Sequence, residues 1–287
     1  MTDYLGFTID WTDPDRVAAY DELALWSAMA GLLLLEHVPM RPGVRVLDLG
    51  HGTGFPLFEL AQRLGTGSLA VGLDPSPHGL ARVRLKQRVW DVRNVRVVRG
   101  DAARMPLASG RFDLIVSNLG LNNFDDPSTS IAECRRVLAP GGIVALTTNL
   151  QGHMREFYEV YAATLRELAL GDALEPLRKH IAHRATVPGV RALLEGAGFQ
   201  VTRVAEHTVP IRFADGSALL RHDFIKLGFL DAWKSVVGDA ERPRVFERLE
   251  ANLNHVAREG GGLSLSIPFA YVEGTMPSSS GSSTMPA

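Results

Sequence analysis

The stretch that decides the fold is Val44–Phe55, which reads VRVLDLGHGTGF. Its first half is an apolar, β-branched run typical of a buried strand, and its second half carries Gly50, Gly52 and Gly54. Glycines at the end of a strand allow the backbone to approach a ligand closely, and a helix that begins after them presents free N–H groups. The stretch therefore predicts a strand, a ligand-binding turn and a helix in succession.

Four more short apolar runs follow, with room for a helix between most of them. They end at Asp74, Asp101, Asn118 and Asn149. Strands that alternate with helices indicate an α/β fold with a parallel sheet built from right-handed crossovers. Ligands bind such sheets outside the carboxyl ends of the strands. Helical patterns occupy Pro56–Leu64, Pro77–Trp90 and Ser128–Leu138.

The rest of the chain supplies elements on either side of this core. A mostly apolar helix is predicted at Asp15–His37, and two further strands at Phe199–Phe213 and Leu263–Val272. Gly274–Ala287 is uncharged and rich in Ser, Gly and Pro, which predicts a disordered tail. The predicted division is an N-terminal helical cap (1–40), a cofactor-binding α/β core (41–150), helical lid insertions (151–186 and 214–262), a core continuation (187–213), the last core strand (263–273) and the tail (274–287).

Composition excludes several classes of protein. Of the 287 residues, 46% are hydrophobic, which excludes disorder for most of the chain. The net charge of −2 provides no positive field for a nucleic acid. A single cysteine, Cys134, allows neither an internal disulfide nor a multi-thiolate metal site, and its helical spacing favours a core position. The longest apolar run, Ala28–Leu35, is shorter than the about 20 residues that span a bilayer. We expect a cytoplasmic protein without membrane insertion.

The glycine turn distinguishes among nucleotide-binding motifs. The dinucleotide motif G-x-G-x-x-G fails here, because the third glycine falls at Gly54 and Phe55 stands in its place. The P-loop is excluded, since no Gly-Lys-Ser/Thr follows the turn. An NAD(P)-dependent oxidoreductase remains the alternative enzyme.

The turn matches D-x-G-x-G-x-G from Asp48 to Gly54, and here the sequence resembles the class I S-adenosylmethionine-dependent methyltransferases. The resemblance is close over 44–149 and looser over the two later strands. Four more segments match at successive strand ends: Gly72–Ser76, Gly100–Ala103, Ser117–Gly120 and the RVLAPGG run Arg136–Gly142. The resemblance implies a doubly wound, mostly parallel, seven-stranded Rossmann-like sheet and S-adenosyl-L-methionine as the cofactor.

The resemblance also implies roles for particular residues. Asp74 stands where the family holds the ribose hydroxyls, and a carboxylate suits this role because its oxygens accept from both. Asp101 stands where a side chain accepts from the adenine amino group, and Asn118 beside the methionine moiety and the methyl group. The full cofactor set is Asp48, Gly50, His51, Gly52, Gly54, Asp74, Pro75, Asp101, Ala102, Asn118 and Leu119.

The sequence gives fewer indications for the residues of catalysis and of methyl-acceptor binding than for those of the cofactor site. Candidate catalytic residues are Tyr20, His153 and His222, and candidate substrate residues are Asn123, Arg155 and Tyr158. Each has a plain alternative as a half-buried aromatic, a solvated loop residue or a pocket wall. His180 and His183 are three residues apart on a predicted helix, but without a third ligand nearby we predict no metal site.

Apolar insertions and a near-zero net charge predict a small or medium organic acceptor rather than a macromolecule. Gly120–Asn123, which reads GLNN, resembles the G-L-R-N run of quinone C-methyltransferases. A non-enzymatic alternative is a degenerate cofactor-binding scaffold for a protein partner. The sequence leaves open the acceptor atom and the oligomeric state.

Overall fold

The computed structural model describes residues 2–8, 10–21 and 25–277, without the side chain of Leu25. These residues form a seven-stranded sheet in the order β3-β2-β1-β4-β5-β7-β6. The pairs β1–β2, β1–β4, β2–β3 and β4–β5 are parallel, which confirms the predicted doubly wound fold. The strands are β1 (Arg45–Leu49), β2 (Leu69–Asp74), β3 (Val95–Arg99), β4 (Phe112–Asn118), β5 (Leu138–Asn149), β6 (Gln200–Phe213) and β7 (Leu263–Thr275).

The helices lie between the strands and in the predicted insertions. The three predicted core helices are present, with each end within one residue of its predicted position. They are α1 (Pro14–Asp21), α2 (Leu25–His37), α3 (Leu57–Arg63), α4 (Pro77–Val89), α5 (Pro127–Val137), α6 (Arg155–Glu167), α7 (Leu174–Ala182), α8 (Val187–Gly196), α9 (Gly216–Arg221), α10 (Asp223–Gly228), α11 (Leu230–Lys234) and α12 (Arg242–Gly260).

Two sequence predictions need correction at their boundaries. The segment predicted as one helix, Asp15–His37, contains α1 and α2, and residues 22–24 between them lie outside the described part of the chain. The predicted tail begins too early, because β7 continues through Gly274 and Thr275. Gly274 packs there against Phe199, so its backbone is held by the fold. The predicted tail beyond residue 277 lies outside the described residues.

The chain divides into two compact units. The sheet unit comprises Pro14–Thr148, Thr186–Glu206 and Phe269–Ala287, and the helical unit comprises Met1–Asp13, Asn149–Ala185 and His207–Pro268. Among the described residues, no single helix is long and apolar enough to span a membrane; the bent pair 14–21 and 26–37 meets that test only jointly.

The core of the sheet unit lies between the strands and the helices that flank them. Val46, Ala70 and Leu114 of adjacent strands are buried with Leu34 of α2 and Leu60 of α3. Burying each Val or Leu side chain stabilises the fold by about 1.5–3 kcal/mol. This core fixes the strands whose carboxyl ends carry the polar residues of the motifs.

The core of the helical unit is aromatic. Trp233 is fully buried and stacks on Phe157 with ring centroids 3.9 Å apart. The Tyr161 hydroxyl donates to the Trp233 carbonyl oxygen at 3.0 Å, and its ring meets Phe246 of α12. Near the N-terminus, Tyr4 is buried against the same Phe246. These contacts tie α6, α11 and α12 into one body.

Candidate functional site

The order of the strands places a crevice at the carboxyl ends of β1 and β4. The strand order reverses between these two neighbours, which is where ligands bind in open parallel sheets. The Ser117 hydroxyl donates to the Leu49 carbonyl oxygen at 2.7 Å and joins the two strand ends. A Cβ at Gly120 would collide with Ser117 Oγ and lie 3.2 Å from the Leu49 oxygen. A side chain at position 120 therefore has no room beside Ser117 at these strand ends.

The glycine turn after β1 has a backbone that other residues rarely adopt. The φ angles of Gly50, Gly52 and Gly54 are +77°, +53° and +111°. The Gly50 N–H donates to the Leu73 carbonyl oxygen and the Gly54 N–H to the His51 carbonyl oxygen, each at 2.8 Å. A Cβ at Gly52 would meet no atom within 4 Å, so the turn presents bare backbone toward open space. This is the arrangement that close approach of a ligand requires.

Asp74 organises the turn from the end of β2. This buried carboxylate accepts from the Gly52 N–H at 2.9 Å through Oδ2 and from the Ser76 N–H at 2.8 Å through Oδ1. Ser76 in turn caps α4, because its hydroxyl oxygen accepts from the Gly79 N–H at 3.1 Å. Pro75 is exposed between them. Each Asp74 oxygen keeps lone pairs that can accept further hydrogen bonds.

Two more ionisable groups are buried beside Asp74. Burial and the Asp74 charge raise the pKa of Asp48 to about 8. Neither Asp48 oxygen has a hydrogen-bond partner among the described residues. Burial lowers the pKa of His51, against the opposing effect of Asp74. His51 Nδ1 lies 2.8 Å from the Gly52 carbonyl oxygen, so a neutral ring with a proton on Nδ1 donates to it.

The ends of β3 and β4 complete this edge of the sheet. Asp101 is exposed, and its Oδ1 accepts from the Ala103 N–H at 2.8 Å, while Ala102 is buried. The Asn118 amide is fixed at both ends: Nδ2 donates to the Ser27 carbonyl oxygen at 2.9 Å, and Oδ1 accepts from the Thr147 hydroxyl at 2.8 Å.

Leu119 follows Asn118 with a left-handed backbone. Its φ is +61°, an uncommon conformation for a residue with a side chain, and its N–H donates to the Thr147 carbonyl oxygen at 3.0 Å. Asn123 lies in the short 3₁₀ turn that follows, and its side-chain amide donates to the Leu119 carbonyl oxygen at 3.4 Å. The chain thus turns sharply as it leaves β4.

An ion-pair cluster that sequence reasoning missed joins α1, α4 and the glycine turn. Asp21 accepts from Arg82 Nε at 2.9 Å and from Lys86 Nζ at 2.6 Å, and Lys86 also donates to the Thr53 carbonyl oxygen at 3.0 Å. Burial alone would raise the pKa of Asp21, but hydrogen bonds from Lys86, Thr53 and Arg82 outweigh it and lower the pKa. Lys86 thereby connects α1, through Asp21, to the glycine turn, through the Thr53 carbonyl oxygen.

Replacing Lys86 by methionine tests this connection. We expect Lys86→Met to lower the free energy of unfolding by about 1–3 kcal/mol, because Asp21 and the Thr53 carbonyl each lose a partner in a half-buried setting. The measurement is urea denaturation. Arg63→Met is the matched control: its i,i+4 pair with Glu59 is exposed and contributes less than about 1 kcal/mol. Equal losses in the two variants would contradict the expectation.

Comparison with known proteins identifies the family. Residues 47–146 match the family described as "Methyltransferase domain". The nocamycin O-methyltransferase of Saccharothrix syringae is 29% identical over 266 residues, which cover 85% of this chain and 89% of that protein. The match over residues 47–146 and this relative support a class I S-adenosylmethionine-dependent methyltransferase.

A second curated protein matches part of the sequence, and a solved structure has a similar fold. The demethylmenaquinone methyltransferase of Staphylococcus aureus strain MRSA252 is 27% identical over 148 residues, which cover 52% of this chain and 59% of that protein. A solved S-adenosylmethionine-dependent methyltransferase from Aquifex aeolicus has a TM-score of 0.55 at 16% identity, and the match covers 92% of this chain and 98% of that one. The latter likeness concerns the fold alone.

The residues of this methyltransferase fit S-adenosyl-L-methionine, its cofactor. Three glycines with positive φ leave an open backbone at Gly52, where an added Cβ meets nothing. Beside them, the fully buried Asp48 carboxyl has no hydrogen-bond partner among the described residues, and a bound ligand with donor groups would supply one. The sheet unit also contains Tyr20, half-buried on α1, whose pKa is raised by burial.

Asn123 also belongs to the sheet unit, whereas the other predicted catalytic and substrate residues lie in the helical unit. His153, Arg155 and Tyr158 line one cavity of about 340 Å³ along α6 and α7. His153 is buried and stacks on Phe229 with ring centroids 5.2 Å apart, whereas Arg155 is exposed and pairs with Glu156. The structure thus brings together three residues that the sequence indicated separately.

His222 lies elsewhere in the helical unit. It is exposed and its Nδ1 accepts from the Phe224 N–H at 3.2 Å, so it caps α10 and only Nε2 is left for proton transfer. Its ring meets Phe213 and Phe224. Of the two histidines His180 and His183, His180 is engaged, since its Nε2 lies 3.0 Å from the Tyr158 hydroxyl.

Proposed function

We propose that this methyltransferase acts on a small or medium-sized organic acceptor. The observation that carries the proposal is the similarity to nocamycin O-methyltransferase, because it extends over 85% of this chain, which is more than the sheet unit alone contains. The shorter similarity to demethylmenaquinone methyltransferase favours the same class of acceptor. The proposal assigns the enzyme to the cytoplasm, in agreement with its single, buried cysteine.

In this proposal the cofactor lies along the polar edge of the sheet. Asp74 accepts from the ribose hydroxyls while it holds the turn through the Gly52 N–H. Asp101 Oδ2 accepts from the adenine amino group, since Oδ1 already accepts from Ala103. Asn118 and Leu119 form a rigid wall near the methionine part of the cofactor, because Ser27 and Thr147 fix the amide. The remaining members of the set, Asp48, Gly50, His51, Gly54, Pro75 and Ala102, shape the site through backbone and packing.

S-adenosylmethionine supplies an electrophilic methyl group, so the protein's contribution is to orient the acceptor and exclude water. Orientation of this kind can provide about 7–11 kcal/mol. A base is needed only where the acceptor is protonated at working pH. Burial and the neighbouring Arg184 and His180 hold the pKa of His153 well below its usual range. His153 is therefore neutral but only weakly basic near pH 7, and we assign the role of base to it ahead of Tyr20 and His222 because it lies in the wall of the cavity with Arg155 and Tyr158.

Two experiments test this function: the first measures cofactor binding, and the second measures methyl transfer to an acceptor. We expect S-adenosylhomocysteine to bind the purified protein with a micromolar Kd by titration calorimetry, and NADH to give no heat. Incubation with methyl-labelled S-adenosylmethionine and a panel of phenols, quinols, carboxylic acids and amines should then label at least one small acceptor. Tighter binding of NADH would overturn the methyltransferase, whereas cofactor binding with no labelled acceptor would support a degenerate scaffold.

A further inference from the structure

An apolar surface is exposed at the C-terminal end of α4 in the sheet unit. Leu85 and Val89 are four residues apart and therefore share one face of the helix, and they are 39% and 69% exposed. Trp90 directly follows α4 and is 53% exposed. Its ring meets the buried Phe58 edge-on with centroids 5.1 Å apart, and Lys86 Nζ lies 5.8 Å from its centroid, so the indole is held in place. We call Leu85, Val89 and Trp90 the α4 patch.

Two rows of basic residues flank the α4 patch. Arg84 and Arg88 form one row, and Arg82 and Lys86 form the other, because the members of each row are four residues apart on the helix. Arg82 and Lys86 are half-buried and paired with Asp21. Arg84 and Arg88 are exposed, and neither forms an ion pair with a residue in the described part of the chain. The uncompensated positive charge therefore lies on the side of Arg84 and Arg88.

The positive charge of this surface contrasts with the rest of the sequence. Residues 78–100 contain seven of the 30 Lys and Arg residues but only one of the 32 Asp and Glu residues, Asp91. The segment includes Arg96 and Arg99, which are exposed on the edge strand β3. Because the net charge of the whole chain is −2, the remaining residues are acidic overall. The charges are thus segregated, with a positive field on the surface of α4 and β3.

We propose that the α4 patch and its basic rows bind the surface of a membrane that contains anionic phospholipids. Basic side chains are attracted to the phosphate groups of such a surface, and exposed aliphatic and indole side chains enter the boundary between headgroups and acyl chains. The stems of Arg84 and Arg88 lie beside the apolar stripe, which allows their guanidinium groups to reach the phosphates. The protein adheres to the bilayer in this way without crossing it.

The proposal does not depend on the proposed function. The α4 patch lies at the last turns of the helix and just after it, whereas Ser76, which caps α4 beside Asp74, lies at its other end. Membrane binding and cofactor binding therefore use different residues and are measured separately.

Two other kinds of partner match this surface less well. A nucleic acid would pair with the guanidinium groups, but it would place Leu85 and Val89 against a charged backbone. A second copy of the chain that docked by the same face would bring the like charges of Arg84 and Arg88 together across a two-fold axis. A lipid surface combines negative phosphates with an apolar layer, and so it matches both the basic rows and the apolar stripe.

Flotation of the full chain with lipid vesicles tests the charge requirement. Vesicles of phosphatidylglycerol and phosphatidylcholine in equal parts should bind the protein, vesicles of phosphatidylcholine alone should not, and NaCl should reduce the bound fraction. The double variant Arg84→Gln/Arg88→Gln should bind the anionic vesicles about tenfold or more weakly. Arg178→Gln/Arg191→Gln is the control, because it removes the same charge from two exposed arginines that are paired with nearby glutamates.

A second pair of variants tests the apolar requirement. Val89→Ser should weaken binding to the anionic vesicles by about threefold or more, because its methyl groups no longer enter the boundary layer. Val256→Ser is the control, since Val256 is also an exposed valine on a helix, α12 of the helical unit, and its replacement should leave binding unchanged. Circular dichroism and the affinity for S-adenosylhomocysteine should be the same in all four variants as in the wild type.

Several results would overturn the membrane proposal. One is a wild type that does not float with anionic vesicles, and another is an equal loss in the Arg84→Gln/Arg88→Gln variant and its control. Duplex DNA or poly-glutamate that binds as tightly as the vesicles, and does so equally in Val89→Ser, would show that the partner is a soluble polyanion. If the double variant does not fold, Val89→Ser decides, because binding as strong as that of Val256→Ser would exclude the apolar contact.

Discussion

Replacing Asp74 by alanine is expected to reduce the affinity for S-adenosylhomocysteine by about a hundredfold or more, since charged hydrogen bonds contribute about 1.5–3 kcal/mol each. The carboxylate accepts from Gly52 and Ser76, so its removal frees the glycine turn and the first turn of α4 at once. The proposed contacts with the ribose hydroxyls disappear as well. Titration calorimetry gives the affinity directly.

A conservative variant separates charge from shape at the same position. Asp74→Asn keeps one oxygen but replaces the other by an amide nitrogen that cannot accept from either backbone N–H, and we expect an intermediate loss of about tenfold. Asp91→Asn is the control, because Asp91 is exposed and pairs only with Arg93 nearby in the chain. An Asp74→Ala protein that keeps wild-type affinity would refute the role given to this carboxylate.

The sequence predicted the parts of the site that depend on local chain geometry. Gly50, Gly52 and Gly54 were singled out because glycines between a strand and a helix let the backbone approach a ligand, and the structure has a positive φ at all three. Asp74 was found because it ends a strand, and the ends of parallel strands share one edge of the sheet. Those inferences need only the pattern of the residues immediately before and after each position.

The parts that were missed depend on distant partners. Asp21 and Lys86 are 65 residues apart, and their pairing follows from the packing of α1 on α4 rather than from either segment's pattern. The contact of Arg184 with the Phe229 ring likewise joins residues far apart in the chain, with the guanidinium carbon 5.7 Å from the ring centroid, and the pattern of neither segment predicts it.

Replacing Gly79 by alanine is expected to lower both the stability of the protein and its affinity for the cofactor. Gly79 lies in the first turn of α4, where alanine ordinarily favours the helix by about 1 kcal/mol over glycine. Here the added Cβ would lie 2.7 Å from the Gly52 carbonyl oxygen and 3.3 Å from its carbon. Both are backbone atoms of the turn, so no side chain can rotate away, and the helix or the turn must move.

We therefore expect Gly79→Ala to lower the free energy of unfolding by about 1–3 kcal/mol, the usual cost of overpacking. Movement of Gly52 would also disturb its N–H bond to Asp74, so the affinity for S-adenosylhomocysteine should fall by about tenfold, the effect of about one hydrogen bond. Gly196→Ala is the control: it ends α8, a Cβ there meets nothing within 4 Å, and the change should be neutral or stabilising by up to about 1 kcal/mol. Urea denaturation and calorimetry measure the two effects. A Gly79→Ala protein as stable as Gly196→Ala would show that α4 and the glycine turn can separate without cost, and the turn would then not be preorganised by its neighbours.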